Sequence, residues 1–175
     1  CSYLIKNPNA KTATLMKYIN GPDFPTGGQI ITPTEEIEQI YETGRGSIKL
    51  RASYKIENKE IIINEVPNDT STSNLLMQIG DMINNKKLPL VEDIRDEGDK
   101  NEPIRLVIVP QKKTDPHKVM EHLFATTELE KNIKVNMNMI CLDKRPHVLG
   151  LKDILSEWLV FRRDVVTRRF QALLE

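Results

Sequence analysis

The chain has 175 residues, of which 25 are basic and 25 are acidic, so it carries no net charge. This length suits one domain, or one domain with part of another, and the balanced charge excludes any argument for a nucleic-acid partner that does not rest on a local patch. The longest apolar runs are far shorter than the roughly 20 residues that a membrane span needs, and the two cysteines do not make a disulfide framework. We therefore expect a soluble, cytoplasmic protein.

The first part of the chain predicts two helices separated by a loop. A short helix is expected over Thr12–Ile19, and the glycines and prolines of Gly21–Gly28 indicate an irregular loop. The second helix is predicted to begin after this loop. Thr32 is suited to cap its start, because Pro33 then occupies the first helical position, where a backbone N–H group would have no partner within the helix. Gly44 is suited to end that helix.

A strand with a basic outer face is predicted next. Residues 47–56 alternate between apolar and polar side chains, which is typical of a strand that is buried on one side. Lys49, Arg51 and Lys55 fall on its polar side. Glu60–Val66 is predicted to return as the partner strand of a hairpin.

The remaining elements complete an α+β pattern. They are predicted as a helix with an apolar stripe, a buried strand, a capped helix, an alternating strand and a long final helix, at residues 75–83, 104–109, 115–124, 133–139 and 151–175. This order of elements indicates a mixed β-sheet with helices packed on it.

Three parts of the chain are distinguished on this pattern: an N-terminal helix and loop (1–28), an α+β domain (29–150) and the start of a long helical arm (151–175).

The chain begins at Cys1 without an initiator methionine, and its last helical pattern reaches Glu175 without a stop signal. We therefore expect an internal piece of a longer polypeptide, whose chemistry lies outside it.

Residues that could carry chemistry are few. His117 and His122 are five apart on one predicted helix, about 140° around its axis, so they are not placed to share a metal ion, and no cysteine and histidine spacing typical of zinc is found. The carboxylates of Asp93–Asp99 do not follow the spacing of a calcium loop and are interpreted as a solvated acidic loop with Arg95 in salt bridges. No catalytic residue and no metal ligand are predicted.

The basic strand face is the feature best suited to bind a ligand. Between Gly44 and Lys59 there are five basic residues and one acidic residue. Basic side chains two apart on a strand lie roughly 7 Å apart, which is similar to the spacing of successive phosphates along one DNA strand. The candidates for contact with a DNA backbone are Arg45, Lys49, Arg51 and Lys55. The alternative, a solvated outer face of an antiparallel sheet, is common and stays open.

Several stretches of the sequence carry a resemblance to a known family: Gly21–Thr26, Ile40–Gly46, Ile94–Glu97 and Arg162–Arg169. On these stretches the chain is similar, almost end to end, to the A subunits of bacterial type IIA topoisomerases, which include those of gyrase and of topoisomerase IV. The stretches that resemble the topoisomerase IV branch more closely are Asn85–Pro89, Leu123–Glu130 and Leu155–Arg163. The segment Asp69–Asn74 departs from the form expected for the family.

The resemblance implies a part of a DNA-breaking enzyme that does not itself break DNA. In this family the tyrosine that attacks the phosphodiester lies upstream in a winged-helix domain. Mg²⁺ and ATP are used by the partner B subunit, so no cofactor is expected in this chain. The matching region, called the tower, supports the bent arms of the gate DNA segment and leads into a coiled coil. The resemblance therefore strengthens the case for Arg45, Lys49 and Arg51 as contacts to the DNA backbone.

The partners that the family implies are double-stranded DNA, a second A subunit, and the B subunit. Together the proteins form a tetramer of two A and two B subunits that decatenates and relaxes DNA. The chain by itself is expected to be a monomer or to associate weakly. It is expected to lie in the cytoplasm on the chromosome, or peripherally at the inner membrane. Two alternatives stay open: the same region of the A subunit of gyrase and, from another class, a stand-alone interaction domain without enzymatic activity.

Overall fold

The computed structural model describes residues 1–174, which form six helices and nine strands. The helices are α1 (Ser2–Lys6), α2 (Thr12–Leu15), α3 (Thr34–Thr43), α4 (Thr72–Asn84), α5 (Pro116–Thr126) and α6 (Leu151–Leu174). The strands are β1 (Gln29–Ile30), β2 (Arg45–Arg51), β3 (Ser53–Glu57), β4 (Glu60–Glu65), β5 (Val91–Asp96), β6 (Leu106–Pro110), β7 (Glu130–Asn136), β8 (Asn138–Ile140) and β9 (Pro146–Val148). Helices combined with antiparallel sheets confirm the predicted α+β class.

The chain divides into two compact units, which are described separately. The first unit comprises Cys1–Pro22, Thr32–Ile48 and Lys134–Glu175, of which Glu175 lies outside the described residues. The second unit comprises Asp23–Ile31 and Lys49–Ile133. The domain boundaries predicted after residues 28 and 150 stay predictions.

The four-stranded sheet with the order β3-β4-β6-β5 holds the core of the second unit. The predicted hairpin of β3 and β4 is confirmed, and Asn58 and Lys59 form its turn with positive φ angles of 50° and 71°. Two consecutive positive φ angles are typical of a type I′ turn, whose twist matches that of the paired strands. The core combines apolar side chains of this sheet with those of α4 and α5, among them Ile61, Ile63, Leu106, Ile108, Leu75, Ile79, Met120 and Leu123.

Both helices of the second unit begin at side-chain caps, of which the one at residue 115 is predicted from the sequence. The Oγ atom of Ser71 accepts a hydrogen bond from the N–H of Asn74 at the start of α4 (3.3 Å). The Oδ1 atom of Asp115 accepts one from the N–H of His117 (3.0 Å), and Pro116 occupies the first position of α5. Each cap satisfies an N–H group that the helix itself leaves without a partner.

The strand predicted over residues 47–56 is in fact two strands in two different sheets, which corrects the prediction. β2 belongs to the three-stranded sheet β1-β2-β7, whereas β3 belongs to the four-stranded sheet. At the change, the N–H of Ala52 donates to the carbonyl of Leu129 (2.7 Å), and the pairing of β3 shifts register between Ser53 and Tyr54. The alternation of apolar and polar residues continues across the break in the sequence, so the pattern does not reveal the change of sheet.

A strand also replaces part of the acidic loop predicted around residues 93–99. β5 pairs antiparallel with β6 and is the last strand of its sheet. Within β5, Val91 is the buried residue and the others are partly or fully exposed, so apolar periodicity does not mark this strand. The predicted salt bridges of Arg95 are confirmed, to Glu60 at 3.2 Å and to Glu97 at 3.1 Å.

Helix α3 of the first unit ends at Gly44, which confirms the prediction. Gly44 has a φ angle of 75°, and a Cβ atom at this position would clash with the carbonyl of Leu149. Both the backbone angle and the space therefore favour glycine. The predicted cap at Thr32 is wrong, because Pro33 has an extended ψ angle of 148° and the helix begins at Thr34 without a side-chain cap.

Other elements differ in extent from their predictions. Helix α2 covers Thr12–Leu15, whereas the sequence predicts a helix that reaches Ile19. The strand predicted at residues 133–139 is divided between β7 and β8, and β8 pairs with β9. The long final helix is confirmed as α6, which has 24 residues. None of the helices within residues 1–174 has the length and apolarity that a membrane crossing needs.

Candidate nucleic-acid interface

Lys49 and Arg51 lie on the outer face of β2, at the end of this strand that belongs to the second unit. Leu50 between them is fully buried, so the two basic side chains share the opposite face of the strand. Strand β1 holds this end of β2, because Gln29 pairs with Arg51 and the N–H of Ile31 donates to the carbonyl of Lys49 (3.0 Å). The structure therefore brings these two candidate residues together on a fixed backbone.

Both basic side chains contact the carboxylate of Glu130 on β7. Nε of Arg51 donates to Oε2 of Glu130 at 2.7 Å, and its Nη2 contacts the same oxygen. Nζ of Lys49 lies 3.5 Å from Oε1 of Glu130. The Glu130 side chain is 17% exposed, compared with 36% for Arg51 and 48% for Lys49. A negative charge therefore lies between two of the predicted DNA contacts and offsets part of their positive charge.

The guanidinium group of Arg51 is also held by an aromatic ring. Its Cζ atom lies 4.5 Å from the centre of the Phe124 ring, which is a cation–π geometry. The Phe124 ring packs on Tyr54, with 6.1 Å between the centroids, and the Tyr54 hydroxyl lies 3.0 Å from Nδ1 of His117. These residues line a cleft of about 410 Å³ together with Gln29, Glu121, Ala125 and Glu130.

Lys55 lies on β3, in the four-stranded sheet, opposite Ile62. Its side chain is exposed and makes no ion pair with any residue between 1 and 174. It lines a second cleft, of about 570 Å³, together with Phe24 and Arg105. The predicted row of three basic residues on one strand face is therefore divided between two sheets of the second unit.

Arg45 is the first residue of β2 and belongs to the first unit. Its backbone is fixed by Thr43, whose Oγ1 atom donates to the carbonyl of Arg45 at 3.0 Å and accepts its N–H at 3.4 Å. The side chain is exposed, and the described part of the chain offers it no ion pair. Arg45 and Lys55 are thus presented to solvent, whereas Lys49 and Arg51 share a carboxylate.

The loop before β1 is anchored to the β3–β4 hairpin by Glu65. Oε2 of Glu65 accepts hydrogen bonds from the Ser53 hydroxyl (2.7 Å) and from the N–H of Gly28 (2.9 Å). These two bonds, the Ser53 bond first, hold the pKa of Glu65 below its ordinary value, against the opposing effect of burial. A Cβ atom on Gly27, whose φ angle is 74°, would lie 2.6 Å from Cδ of Glu65. The loop that leads into β1 is therefore fixed where β1 meets the basic end of β2.

Two further groups of charged side chains form local pairs. Hydrogen bonds from Arg95 to Glu97 and to Glu60 hold the pKa of Arg95 above its ordinary value. In the first unit, Nε2 of His147 lies 2.8 Å from Oδ2 of Asp143, and this contact lowers the pKa of Asp143. Within residues 1–174, no group of three or more histidine, cysteine and carboxylate side chains is arranged to hold a metal ion.

Sequence reasoning missed Glu130 and Phe124 as parts of this interface. Glu130 lies 79 residues from Arg51, and strand pairing brings the two together. The alternation of side chains along β7 places Glu130 on the polar face of the strand. This pattern predicts that Glu130 is exposed, but it does not predict which residue pairs with it. Phe124 on α5 packs against the core cluster, and its ring also contacts the guanidinium group of Arg51.

Comparison with known proteins gives a consistent result along the whole chain. A model of the family described as the A subunit of DNA gyrase/topoisomerase IV matches residues 1–175. The chain is similar to the A subunit of DNA topoisomerase 4 from Haemophilus influenzae, with 53% identity over 173 residues, which are 98% of this chain and 23% of that protein. It is 50% identical to the subunit of the same name from Escherichia coli over the same shares.

A further relative, the A subunit of DNA topoisomerase 4 from Pseudomonas aeruginosa, is 46% identical over 170 residues, which are 97% of this chain and 22% of that protein. The chain thus spans about a quarter of the length of the curated relatives that it matches.

Proposed function

The chain belongs to the family of DNA gyrase and topoisomerase IV A subunits, and from this premise we propose that it is the DNA-supporting region of a topoisomerase IV A subunit. The observation that carries this proposal is the 53% identity to an A subunit of DNA topoisomerase 4 across 98% of the chain. The gyrase alternative is not favoured, because the relatives from these three bacteria all carry the topoisomerase 4 name. A stand-alone interaction domain is not favoured either, because every residue of the chain lies within the family match.

The proposed whole enzyme is a type IIA topoisomerase, an isomerase that passes one DNA duplex through another and so decatenates and relaxes DNA. It is a tetramer of two A and two B subunits, in which the B subunits use ATP and Mg²⁺. This chain contributes no nucleophile and no metal ligand to that reaction in this proposal. Its role is mechanical and electrostatic, at the bacterial chromosome.

The proposed mechanism is support of a bent duplex through phosphate contacts. Arg45 and Lys55 present exposed cationic side chains, and Lys49 presents a partly paired one on a strand fixed by β1. Contacts of this kind fix the register and direction of a duplex without reading its sequence. Bending a site of 20–30 base pairs costs on the order of 1–6 kcal/mol, and phosphate contacts made only by the bent form offset that cost.

The binding part of the proposal is tested on the full 175-residue chain. Its affinity for a fluorescently labelled 30-base-pair duplex is measured by anisotropy over a series of salt concentrations. The triple variant R45A/K49A/K55A is expected to bind more weakly. The negative slope of log K against log salt is expected to become less steep by about 0.9 for each phosphate that the variant no longer contacts. The matched control K87A/K112A/K118A removes the same charge from exposed lysines outside the interface and is expected to change the slope less. Equal slopes in the two triple variants would overturn the proposal.

The enzymatic part is tested by exchange of the segment. This chain replaces the 173 matching residues of the A subunit of Escherichia coli topoisomerase 4, and the chimera is assembled with the cognate B subunit. Separation of interlinked DNA circles in the presence of ATP is the expected result. The same chimera with R45A/K49A/K55A is expected to be slower at high salt, because weaker phosphate contacts are screened first. A folded, assembled chimera without activity would contradict the proposed function.

A further inference from the structure

Glu130 contacts two of the predicted DNA-binding residues at once. Its Oε2 atom accepts from Nε of Arg51 at 2.7 Å, and its Oε1 atom lies 3.5 Å from Nζ of Lys49. A duplex that approaches the outer face of β2 therefore meets two cations that already share one anion. A phosphate that pairs with either cation therefore competes with Glu130 for its positive charge.

The two cations are held to different degrees. Arg51 places two nitrogens on Glu130, and its guanidinium group lies against the Phe124 ring. Withdrawal of Arg51 would break both of its bonds to Glu130 and uncover the aromatic ring. Lys49 makes a longer contact with Glu130, and its side chain is 48% exposed. The ammonium group of Lys49 is therefore more accessible to a phosphate than the guanidinium group of Arg51, whose side chain is 36% exposed.

We propose that Glu130 is a positioning residue that sets how much positive charge β2 presents to a DNA backbone. It holds Arg51 in place against Phe124, and it competes with a backbone phosphate for Lys49. In this arrangement Lys49 is the side chain that reaches the DNA, and Arg51 is the structural anchor. The inference rests on the proposed function, since it assumes that the chain binds a duplex.

The competition is tested with E130Q in the full 175-residue chain. Glutamine keeps the shape of the side chain and a carbonyl oxygen for Nε of Arg51, but it removes the negative charge. Anisotropy titrations with the labelled 30-base-pair duplex are expected to show about two- to fivefold tighter binding at 0.1 M salt, the range that corresponds to one exposed ion pair. The slope of log K against log salt is expected to steepen by up to about 0.9, because Lys49 then pairs with a phosphate.

Two further variants separate this effect from a general change of charge. E121Q neutralises a carboxylate that lines the same cleft but makes no ion pair within the described chain, and it is expected to tighten binding less than E130Q does. K49A in the E130Q background is expected to remove the gain, because Lys49 is the side chain that Glu130 releases. An equal gain in E121Q, or a gain that survives K49A, would overturn the inference.

A measurement on the unaltered chain gives a test that does not depend on the folding of a variant. On addition of the duplex, the NMR signal of the Lys49 ammonium group is expected to shift, whereas the Nε–H signal of Arg51 keeps its position because its partner is unchanged. The opposite pattern would overturn the inference. Salt-dependent binding by the unaltered chain without a response to E130Q would contradict this inference alone, whereas absence of any salt-dependent binding would contradict the proposed function and the inference with it.

Discussion

The hydroxyl group of Tyr54 lies 3.0 Å from Nδ1 of His117, which joins strand β3 to the first turn of helix α5. The rings of the two residues meet edge to face, with 6.2 Å between their centroids. The same tyrosine packs on Phe124, against which Arg51 lies. The hydrogen bond therefore helps to position Tyr54 and His117, two of the aromatic residues that line the cleft beside Arg51.

Removal of this hydrogen bond is expected to destabilise the second unit slightly. Y54F keeps the ring contacts with Phe124 and His117 but deletes the hydroxyl group. Because the bond is exposed, we expect the free energy of unfolding in urea to fall by about 0.5–1 kcal/mol. Y18F is the matched control, because Tyr18 is 67% exposed, packs on Tyr3 and makes no hydrogen bond through its hydroxyl within the described chain. A loss in Y18F equal to that in Y54F would argue against the assigned bond.

The carboxylate of Glu65 is expected to make stability depend on pH. Its pKa in the folded chain lies below the ordinary value of 4.5, so the ionised form stabilises the fold. This contribution is complete above about pH 4.5 and is lost as the pH falls through the lower folded pKa.

E65Q removes this titration, so the difference in unfolding free energy between the unaltered chain and E65Q is expected to be larger at pH 7 than at pH 3. Urea titrations at the two pH values measure it. E92Q, on an exposed position of β5, is the control that changes an acid without these hydrogen bonds. A difference for E65Q that is independent of pH would refute the role given to the Ser53 and Gly28 bonds.

Two glycine-to-alanine substitutions are expected to act in opposite directions. G44A places a Cβ atom against the carbonyl of Leu149 at a φ angle of 75°, so a loss of more than about 1 kcal/mol is expected. G80A lies within α4, where a Cβ atom would meet nothing within 4 Å, so a gain of about 0.5–1 kcal/mol is expected. Thermal unfolding of both variants, beside the unaltered chain, measures the pair. If both variants were stabilised, the clash expected at residue 44 would be wrong. If both were destabilised, the gain in helix propensity expected at residue 80 would be wrong.

Features set by neighbouring residues could be predicted from the sequence. The Asp115 cap, the end of α3 at Gly44 and the hairpin turn at Asn58 and Lys59 each depend on residues within one or two turns of chain. In each case the side chain or the backbone angle acts locally, so the residue type is sufficient. The resemblance to the family can likewise be recognised from the sequence, because it rests on contiguous stretches of residues.

Features set by pairing between distant segments could not be predicted. At the change of sheet Ala52 bonds to the distant Leu129, and the distant Glu130 offsets part of the charge of Lys49 and Arg51. Side-chain alternation is the same for a strand that continues and for one that changes sheets, so periodicity carries no information on the partner. The candidate residues were therefore identifiable as basic and exposed, but their ion pairs were not.

Strand β5 has a consequence for the behaviour of the chain in solution. As the last strand of its sheet, it leaves one row of backbone groups without a neighbouring strand in that sheet. An unprotected row of this kind is a template for pairing with another polypeptide, and charged side chains are a common defence. Glu92, Asp93, Arg95 and Asp96 place charge along β5. The acidic segment that resembles a solvated loop in the sequence therefore places charge where this sheet ends, which is the arrangement that disfavours edge-to-edge pairing of sheets.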